Sequence, residues 1–431
     1  MAAEAIGIAA LPEDVLAGVL GVLSPRSLAV GRCVCKAWRG IVDAGSLLPH
    51  LLPRSVYGIF INYIDHHRGH LFSRPCSKFT RIDGLLSFML DDPGDDYCTV
   101  LDHCNGLLLC ETDTGLCVCN PAMQRWTQLP RHTVAWPRSA YIAFDPTLSS
   151  HYEVFLIRDL EEPKPADPVF LNAEEQALYA TFGLEWLFSP PETEGASIQY
   201  ASCRLMEEWP PLSWTLVVFS SRTGQWEHRF SLSNHTYQVI KTPAEGDYLG
   251  RSMNEVLFGE ARKDHLRIWT LIESSGQPEW LLKYQCHLQP HTYHVSTKTW
   301  KVEEGYQGMS SDGEVTDTLQ TEKGSFHWDS DNDETYQVKA RQGDNSLMFD
   351  ILGFHRYKEV IFLAEGFDVM AYHLSSSKFH YVGYARPKSY YLAHTNGIYE
   401  AFVYTPCLIG ELAEGDTDGG SSSVSTDDDD K

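Results

Sequence analysis

The chain has 431 residues, 43% apolar, 12% aromatic and 21% charged, which at roughly 150 residues per domain gives two or three globular units and excludes a collagenous, coiled-coil or wholly disordered chain. Lysine and arginine total 34 against 58 aspartate and glutamate, and a net charge of −24 repels a phosphate backbone, so nucleic acid is not an expected partner. No apolar run approaches the ~20 residues that span a bilayer. Residues 1–10 carry Glu4 and no basic start, and the 11 cysteines form no compact disulfide framework. The expectation is no membrane and a reducing compartment, cytoplasmic or nuclear.

Residues 1–10 read as a flexible N-terminus, and residues 11–50 as a different material from the rest of the chain. The first fifty residues balance four acids with four bases, contain no Tyr or Phe, and are rich in Leu, Val and Ala. Leu11-Pro12-Glu13-Asp14 puts proline at a first helical position with two acids in the first turn, where the helix dipole favours them. Val15, Leu16, Val19, Leu20 and Leu23 then recur on one helical face. Gly18 and Gly21 each weaken that helix by about 1 kcal/mol relative to Ala. Ser24 caps a second helix starting at Pro25, which carries Leu28, Val30, Val34, Cys35, Trp38 and Val42 until Gly40 or Gly45 breaks it. Forty residues are too few for a core of their own, so one apolar face packs on the rest of the chain or binds a partner.

The string Leu11-Pro12-Glu13-Asp14-Val15-Leu16, with Val19-Leu20, Leu23, Pro25, Leu28, Arg32, Val34-Cys35-Lys36 and Trp38 after it, resembles an F-box over nearly its whole length. That resemblance implies docking on a Skp-family adaptor and, through it, on a cullin-RING ubiquitin ligase. By position it assigns Leu11, Pro12, Leu16, Leu20, Leu23, Pro25, Leu28, Val34, Cys35 and Trp38 to the adaptor-facing or supporting apolar surface.

Residues 55–410 are strand-rich, crowded with Tyr, Phe, Trp and Thr between Gly, Pro, Asn, Asp and Ser. An apolar strand, a short polar turn and an aromatic on the return recur in four places. They run from Val118 to Trp126, Val218 to Trp226, Tyr293 to Trp300 and Tyr372 to Phe379, with a looser copy from Ile268 to Trp280. One aromatic per hairpin suits propeller blades. Two interior stretches read as inserted surface loops: proline-rich 161–197, and 303–344 with eleven acids against three bases. Removing them leaves room for roughly six blades of ~45 residues, with a bent β-sandwich as the structural runner-up. Residues 411–431, with eight acids and one lysine, read as a disordered acidic tail whose last five residues match a protease-cleavage tag.

Further motifs extend the likeness: His103-Cys104-Asn105-Gly106-Leu107-Leu108-Leu109, Cys119-Asn120-Pro121-Ala122 with Trp126, Phe144-Asp145-Pro146 and Ile351-Leu352-Gly353-Phe354-His355. They resemble the F-box-associated domain of plant F-box proteins. The fold class is then α+β multidomain, a small all-α F-box module followed by a large all-β, propeller-like domain. The implied role is substrate receptor of a ubiquitin ligase, with no cofactor and no catalytic residue, recruiting a target protein that the sequence does not identify. Asn105-Gly106 and Asn120-Pro121 read as turns.

Local catalytic and metal chemistry is weak. Cys98, His103, Cys104, Cys110, Cys117 and Cys119 cluster without a Cys-x-x-Cys pair, and Cys117 and Cys119 fall on one face of one strand, which favours thiol packing over zinc. His66, His67 and His70 read as an exposed polar turn. Asp329, Asp331 and Asp333 begin a calcium-loop spacing that Glu334 and Ala340 then fail. No phosphate loop, nucleophile elbow or His-Glu-x-x-His is present. Two rivals stay open: a glycan or small-ligand module presenting Trp136, Trp186 and Trp209, and a propeller enzyme with a dispersed site.

Overall fold

A computed structural model describes residues 12–44, 47, 51, 55–75, 82–90, 97–131, 139–157, 215–231, 240–244, 248–274, 277–288, 292–303, 328, 335–339, 348–392 and 397–408. Three helices come first: α1 (Glu13–Gly21), α2 (Pro25–Val34) and α3 (Lys36–Ala44). The expected second helix is thus two. Cys35, at φ −160° and ψ 165°, ends α2 in extended backbone, and α3 turns back so that the Trp38 ring reaches the space beside Gly31. Gly40 lies inside α3 and does not break it.

The strands follow in chain order as β1 (Gly58–Tyr63), β2 (His70–Ser73), β3 (Cys98–Cys104), β4 (Leu107–Thr112), β5 (Gly115–Asn120), β6 (Arg125–Gln128) and β7 (Ser139–Phe144). Next come β8 (Tyr152–Ile157), β9 (Thr215–Ser220), β10 (Gln225–Ser231), β11 (Tyr248–Ser252), β12 (Glu255–Arg262), β13 (His265–Ser274) and β14 (Gln277–His287). The last are β15 (Thr292–Val302), β16 (Thr335–Lys339), β17 (Asp350–Phe354), β18 (Val360–Glu365), β19 (Asp368–His373), β20 (Lys378–Tyr384) and β21 (Ile398–Tyr404).

The chain divides into two compact units, the smaller being 132–140 with 153–240. In the smaller unit β8, β9 and β10 form an antiparallel ladder, and Phe219 faces Trp226 across the β9–β10 hairpin with ring centroids 5.3 Å apart. The larger unit holds the helices, two four-stranded antiparallel meanders, β3–β6 and β11–β14, and a nine-stranded sheet.

That large sheet runs β17-β18-β19-β20-β15-β2-β1-β21, with β16 paired to β15 off the path. Its two end strands, β17 and β21, lie against each other, so the sheet curls into a nearly closed, barrel-like form. Gly353 marks the seam. Its φ of 146° suits glycine, and an added Cβ would stand 2.6 Å from Val403 Cγ2. The sequence predicts six separate blade-like units, whereas the described strands of this unit show two separate meanders and one joined sheet.

Period-two alternation explains why these strands read as unbroken apolar runs. Ile59, Ile61 and Tyr63 of β1, Phe362 and Ala364 of β18, Val369 and Ala371 of β19, and Ala401 and Val403 of β21 share one core with Trp300 and Trp328. The intervening residues face outward into two other cores. Phe60, Phe402 and Tyr404 pack with Val100, Leu108 and Cys110 of the β3–β6 meander. Ile361, Leu363, Met370 and Tyr372 pack with Leu257, Leu266 and Ile268 of the β11–β14 meander. A strand covered on both faces needs apolar residues at every position.

The recurring hairpins hold at β5–β6, β9–β10, β13–β14 and β19–β20. At three of them a residue of positive φ stands just before the return strand: Gln124 at 52°, Gly224 at 69° and Ser377 at 52°. The stretch Tyr293 to Trp300 is the exception, being one continuous strand, β15. It has no residue of positive φ. Ser296 Oγ instead accepts the Lys298 N–H at 3.2 Å, and the strand passes from pairing with β16 to pairing with β2. The predicted Asn105-Gly106 turn forms with φ 50° and 85°, as a two-residue hairpin loop requires.

The predicted insertion 161–197 and the tail 411–431 lie outside the described residues. The other predicted insertion, 303–344, contains β16 and the buried Trp328, whose ring centroid sits 5.4 Å from that of Phe362. Phe362 is fully buried at the centre of this core. Phe362→Ala should therefore cost about 3–5 kcal/mol. A drop in the urea midpoint at unchanged slope would show it, and an unchanged midpoint would contradict the placement of this core.

Candidate functional site

The helical module is built around leucines. Leu16 and Leu20 of α1 and Leu28 of α2 are buried at 4%, 1% and 0% exposure. Ser24 Oγ caps α2 by accepting the Ser27 N–H at 3.3 Å. Arg32 clamps α2 to α3 by donating to both Asp43 oxygens, at 2.7 and 3.0 Å. An added Cβ on Gly31 would sit 3.5 Å from Leu20 and 3.6 Å from Trp38, so these two side chains converge at that glycine. Gly21, read in the sequence only as a helix-weakening residue, leaves room for Leu47, whose Cδ2 would lie 3.2 Å from an added Cβ.

The ten residues assigned to the adaptor surface divide accordingly. Leu16, Leu20 and Leu28 are interior and support the module; Leu23, Pro25 and Trp38 are half-buried; Pro12, Val34 and Cys35 are exposed. Leu11 lies outside the described residues. A second apolar set stands outside the module. Val15 and Val19 of α1, Val22 just past its end, and Val30 and Val34 of α2 are 46%, 49%, 83%, 63% and 61% exposed. Spacings of four and three along α1 and four along α2 put each group on one side of its helix. Val15, Val19, Val22 and Val30 were missed as surface residues because periodicity marks an apolar stripe without telling which half of it the module itself covers.

The cysteine cluster splits. Cys98, Cys110, Cys117 and Cys119 pack in the core between the β3–β6 meander and the large sheet, with Cys117 and Cys119 on the same face of β5 as expected. The neighbouring thiols of Cys117, Cys119 and Cys98, followed by burial, push the Cys110 thiol well above its usual range. Cys104 points elsewhere, its Sγ 3.2 Å from the Phe144 carbonyl that also accepts the Asn105 side-chain N–H. Asn120 donates through Nδ2 to the Cys407 carbonyl at 3.0 Å, tying the β5–β6 turn to the C-terminal strand region.

The His66-His67-His70 turn is less exposed than predicted, because His70 is buried beside Tyr63 and the His66 ring packs edge-on against Tyr390. The Nε2 atoms of His66 and His70 stand 3.0 Å apart, an ordinary hydrogen bond in which one ring donates and the other accepts. Burial, then the neighbouring His70, lowers the His66 pKa to about 4. Burial and then the Arg356 charge do the same to His103. Asp102 accepts backbone N–H groups from Ile142 and His103, both at 2.8 Å, yet burial outweighs them and raises its pKa to about 6. The acidic run Asp329, Asp331 and Asp333, and Trp136, Trp186 and Trp209, lie outside the described residues.

Residues 8–52 match the F-box-like family profile. The chain is 25% identical over 121 residues to the F-box protein At5g18160 of Arabidopsis thaliana, covering 28% of this chain and 32% of that one. A second Arabidopsis thaliana chain named for the F-box, At3g21130, is 26% identical over 319 residues, 65% of this chain and 80% of that one. The F-box protein At5g07610 of the same plant is 27% identical over 180 residues, 39% of this chain and 41% of its own. The chain thus spans about a third of the length of the first of these relatives and four fifths of the second. It carries an F-box-like domain at its N-terminus, followed by a large all-β region.

Folded His66 and His103 refuse protons that the unfolded chain accepts near 6.5, so their contribution to stability is present above that pH and lost as the pH falls toward about 4. Asp102 acts oppositely. Its raised pKa favours the fold below 3.8, and that help is lost as the pH rises through about 6. Of these three groups, two lose their contribution on acidification and one gains it. His103→Phe, which keeps an aromatic ring against Phe402, should narrow the gap between urea midpoints measured at neutral pH and at about pH 4. An unchanged gap would show that His103 does not titrate as described.

Proposed function

We propose that this chain is the substrate-recognition subunit of an SCF-type (Skp-cullin-F-box) ubiquitin ligase. The helical module docks on a Skp-family adaptor and the β region, an F-box-associated domain in this reading, recruits a target protein. The observation that carries the reading is an F-box-like module whose own leucines fill its interior while five valines remain on its outside. A module too small to cover all its apolar side chains leaves them to another surface, and a protein surface is the chemistry that covers branched aliphatic groups on helices.

The role in this reading is tethering. Ubiquitin transfer uses chemistry housed elsewhere in the complex, and this subunit contributes effective concentration and orientation. Its net charge of −24 favours target segments with basic residues during encounter.

The buried leucines make poor probes of docking, since truncating one loosens the module itself: Leu28→Ala should cost it about 2–5 kcal/mol. Val19→Glu and Val34→Glu instead place charge on the outside. Each should weaken capture of a recombinant Skp-family adaptor by the full chain more than about tenfold, with circular dichroism and the urea midpoint unchanged. Undiminished capture by the double variant would sink the reading.

A further inference from the structure

The β12–β13 hairpin closes over only two residues, Lys263 and Asp264, with Lys263 at a φ of 54°. The next pairing, β13 with β14, sets His265 directly opposite His287. The Leu288 N–H then donates to the Asp264 carbonyl at 2.6 Å, and Leu288 is anchored in the core beneath. Backbone pairing therefore brings together three side chains that the sequence separates by up to 23 positions. No local motif announces them.

Asp264 places Oδ1 2.7 Å from His265 Nδ1 and Oδ2 3.3 Å from His287 Nδ1. The two imidazole centroids are 4.3 Å apart, and one donor atom from each residue falls within 4.8 Å of the other two. We propose that Asp264, His265 and His287 form a binding site for a divalent transition-metal ion of the zinc class.

Two imidazole nitrogens and one carboxylate oxygen suit zinc, cobalt or nickel; calcium and magnesium prefer all-oxygen shells and copper(I) prefers sulfur. Ligands about 2.1 Å from a tetrahedral ion stand about 3.4 Å from one another. Asp264 Oδ2 stands 3.3 Å from His287 Nδ1, close to that value, while the 2.7 Å contact to His265 Nδ1 is made by the other carboxylate oxygen, Oδ1. Sharing one carboxylate oxygen between the two imidazoles requires the His265 ring to turn, a motion open to it because half of its side chain is in solvent. Along the same hairpin Glu260 pairs with both Arg262, at 3.4 Å, and Arg267, at 2.5 Å, which offsets their charge, and Lys263 is the cation in the turn itself. Three protein ligands leave one position open to water or to a donor from a partner. Bound metal would clip the β12–β13 turn to the end of β14, fastening three strands at one end of their meander.

The test titrates metal-stripped full-length chain with cobalt(II), following the visible ligand-field bands, and then displaces the cobalt with zinc. Cysteine ligation would add a sulfur charge-transfer band in the near ultraviolet, which keeps the buried thiols distinguishable from this site. One equivalent should bind without that band. His265→Ala and His287→Ala should each weaken binding at least about tenfold, and Asp264→Asn should weaken it in the same direction. Circular dichroism checks that these surface variants keep their fold, and His265→Gln serves as a milder second variant. No binding, a sulfur band, or full binding by the His265→Ala/His287→Ala double variant would overturn the site.

Discussion

The architecture of the larger unit depends on one long-range pairing, β1 with β21. Phe60 stands opposite Phe402 and Gly58 opposite Tyr404, joining segments some 340 residues apart in register. The Tyr57 N–H extends the ladder by donating to the Tyr404 carbonyl at 3.0 Å, and the Phe60 and Tyr404 rings meet edge to face at 5.2 Å. This pairing places β21 where β17 can reach it, and so determines that the large sheet curls on itself instead of leaving two long edges open to foreign strands. The conformational entropy of bringing such distant segments together is offset by burying both faces of β1 at once.

From that closure follow three cores that share walls. Alternate residues of the same strands fill the interior of the curled sheet and its two flanking meanders, so a side chain's partner is decided by parity along the strand. The motifs that looked like functional signatures serve this framework. Asn105 and Gly106 close the β3–β4 hairpin, and a Cβ on Gly106 would collide with the Cys407 backbone nitrogen. Asn120 ties a turn to Cys407, and the thiols of β5 line a core. Their chemistry goes into geometry. Among the described residues, two outward-facing groups of different chemistry are the valines of the helical module and the imidazoles and carboxylate at the β12–β13 turn.

The two places differ in how a partner is drawn in. The valines offer only hydrophobic area, useful where affinity comes from shape and exclusion of water. The Asp264 cluster offers lone pairs held by backbone register, a preorganised arrangement even though the side chains are half in solvent. Neither requires the β region to move, because the helices pack on one another and the β12–β14 strands are fixed by their own ladder.

Local rules read from the sequence determined the local features: the helix start at Pro12-Glu13-Asp14, the Ser24 cap, the positive-φ turn at Asn105-Gly106, the strand-rich character after residue 55 and the F-box likeness. Each depends on neighbours a few residues apart, where propensity and sterics act without help. What they missed depends on contact between distant segments. Trp38 folding back on Gly31 splits one apolar period into two helices, and β16 with β2 straightens the stretch from Tyr293 to Trp300 that reads as a hairpin. Leu16 and Val19 belong to one predicted stripe, and only packing assigns the first inside and the second outside. His287 reaches Asp264 solely through strand register. An apolar or titratable residue states in sequence what it is able to do, whereas its partner is chosen by the tertiary fold.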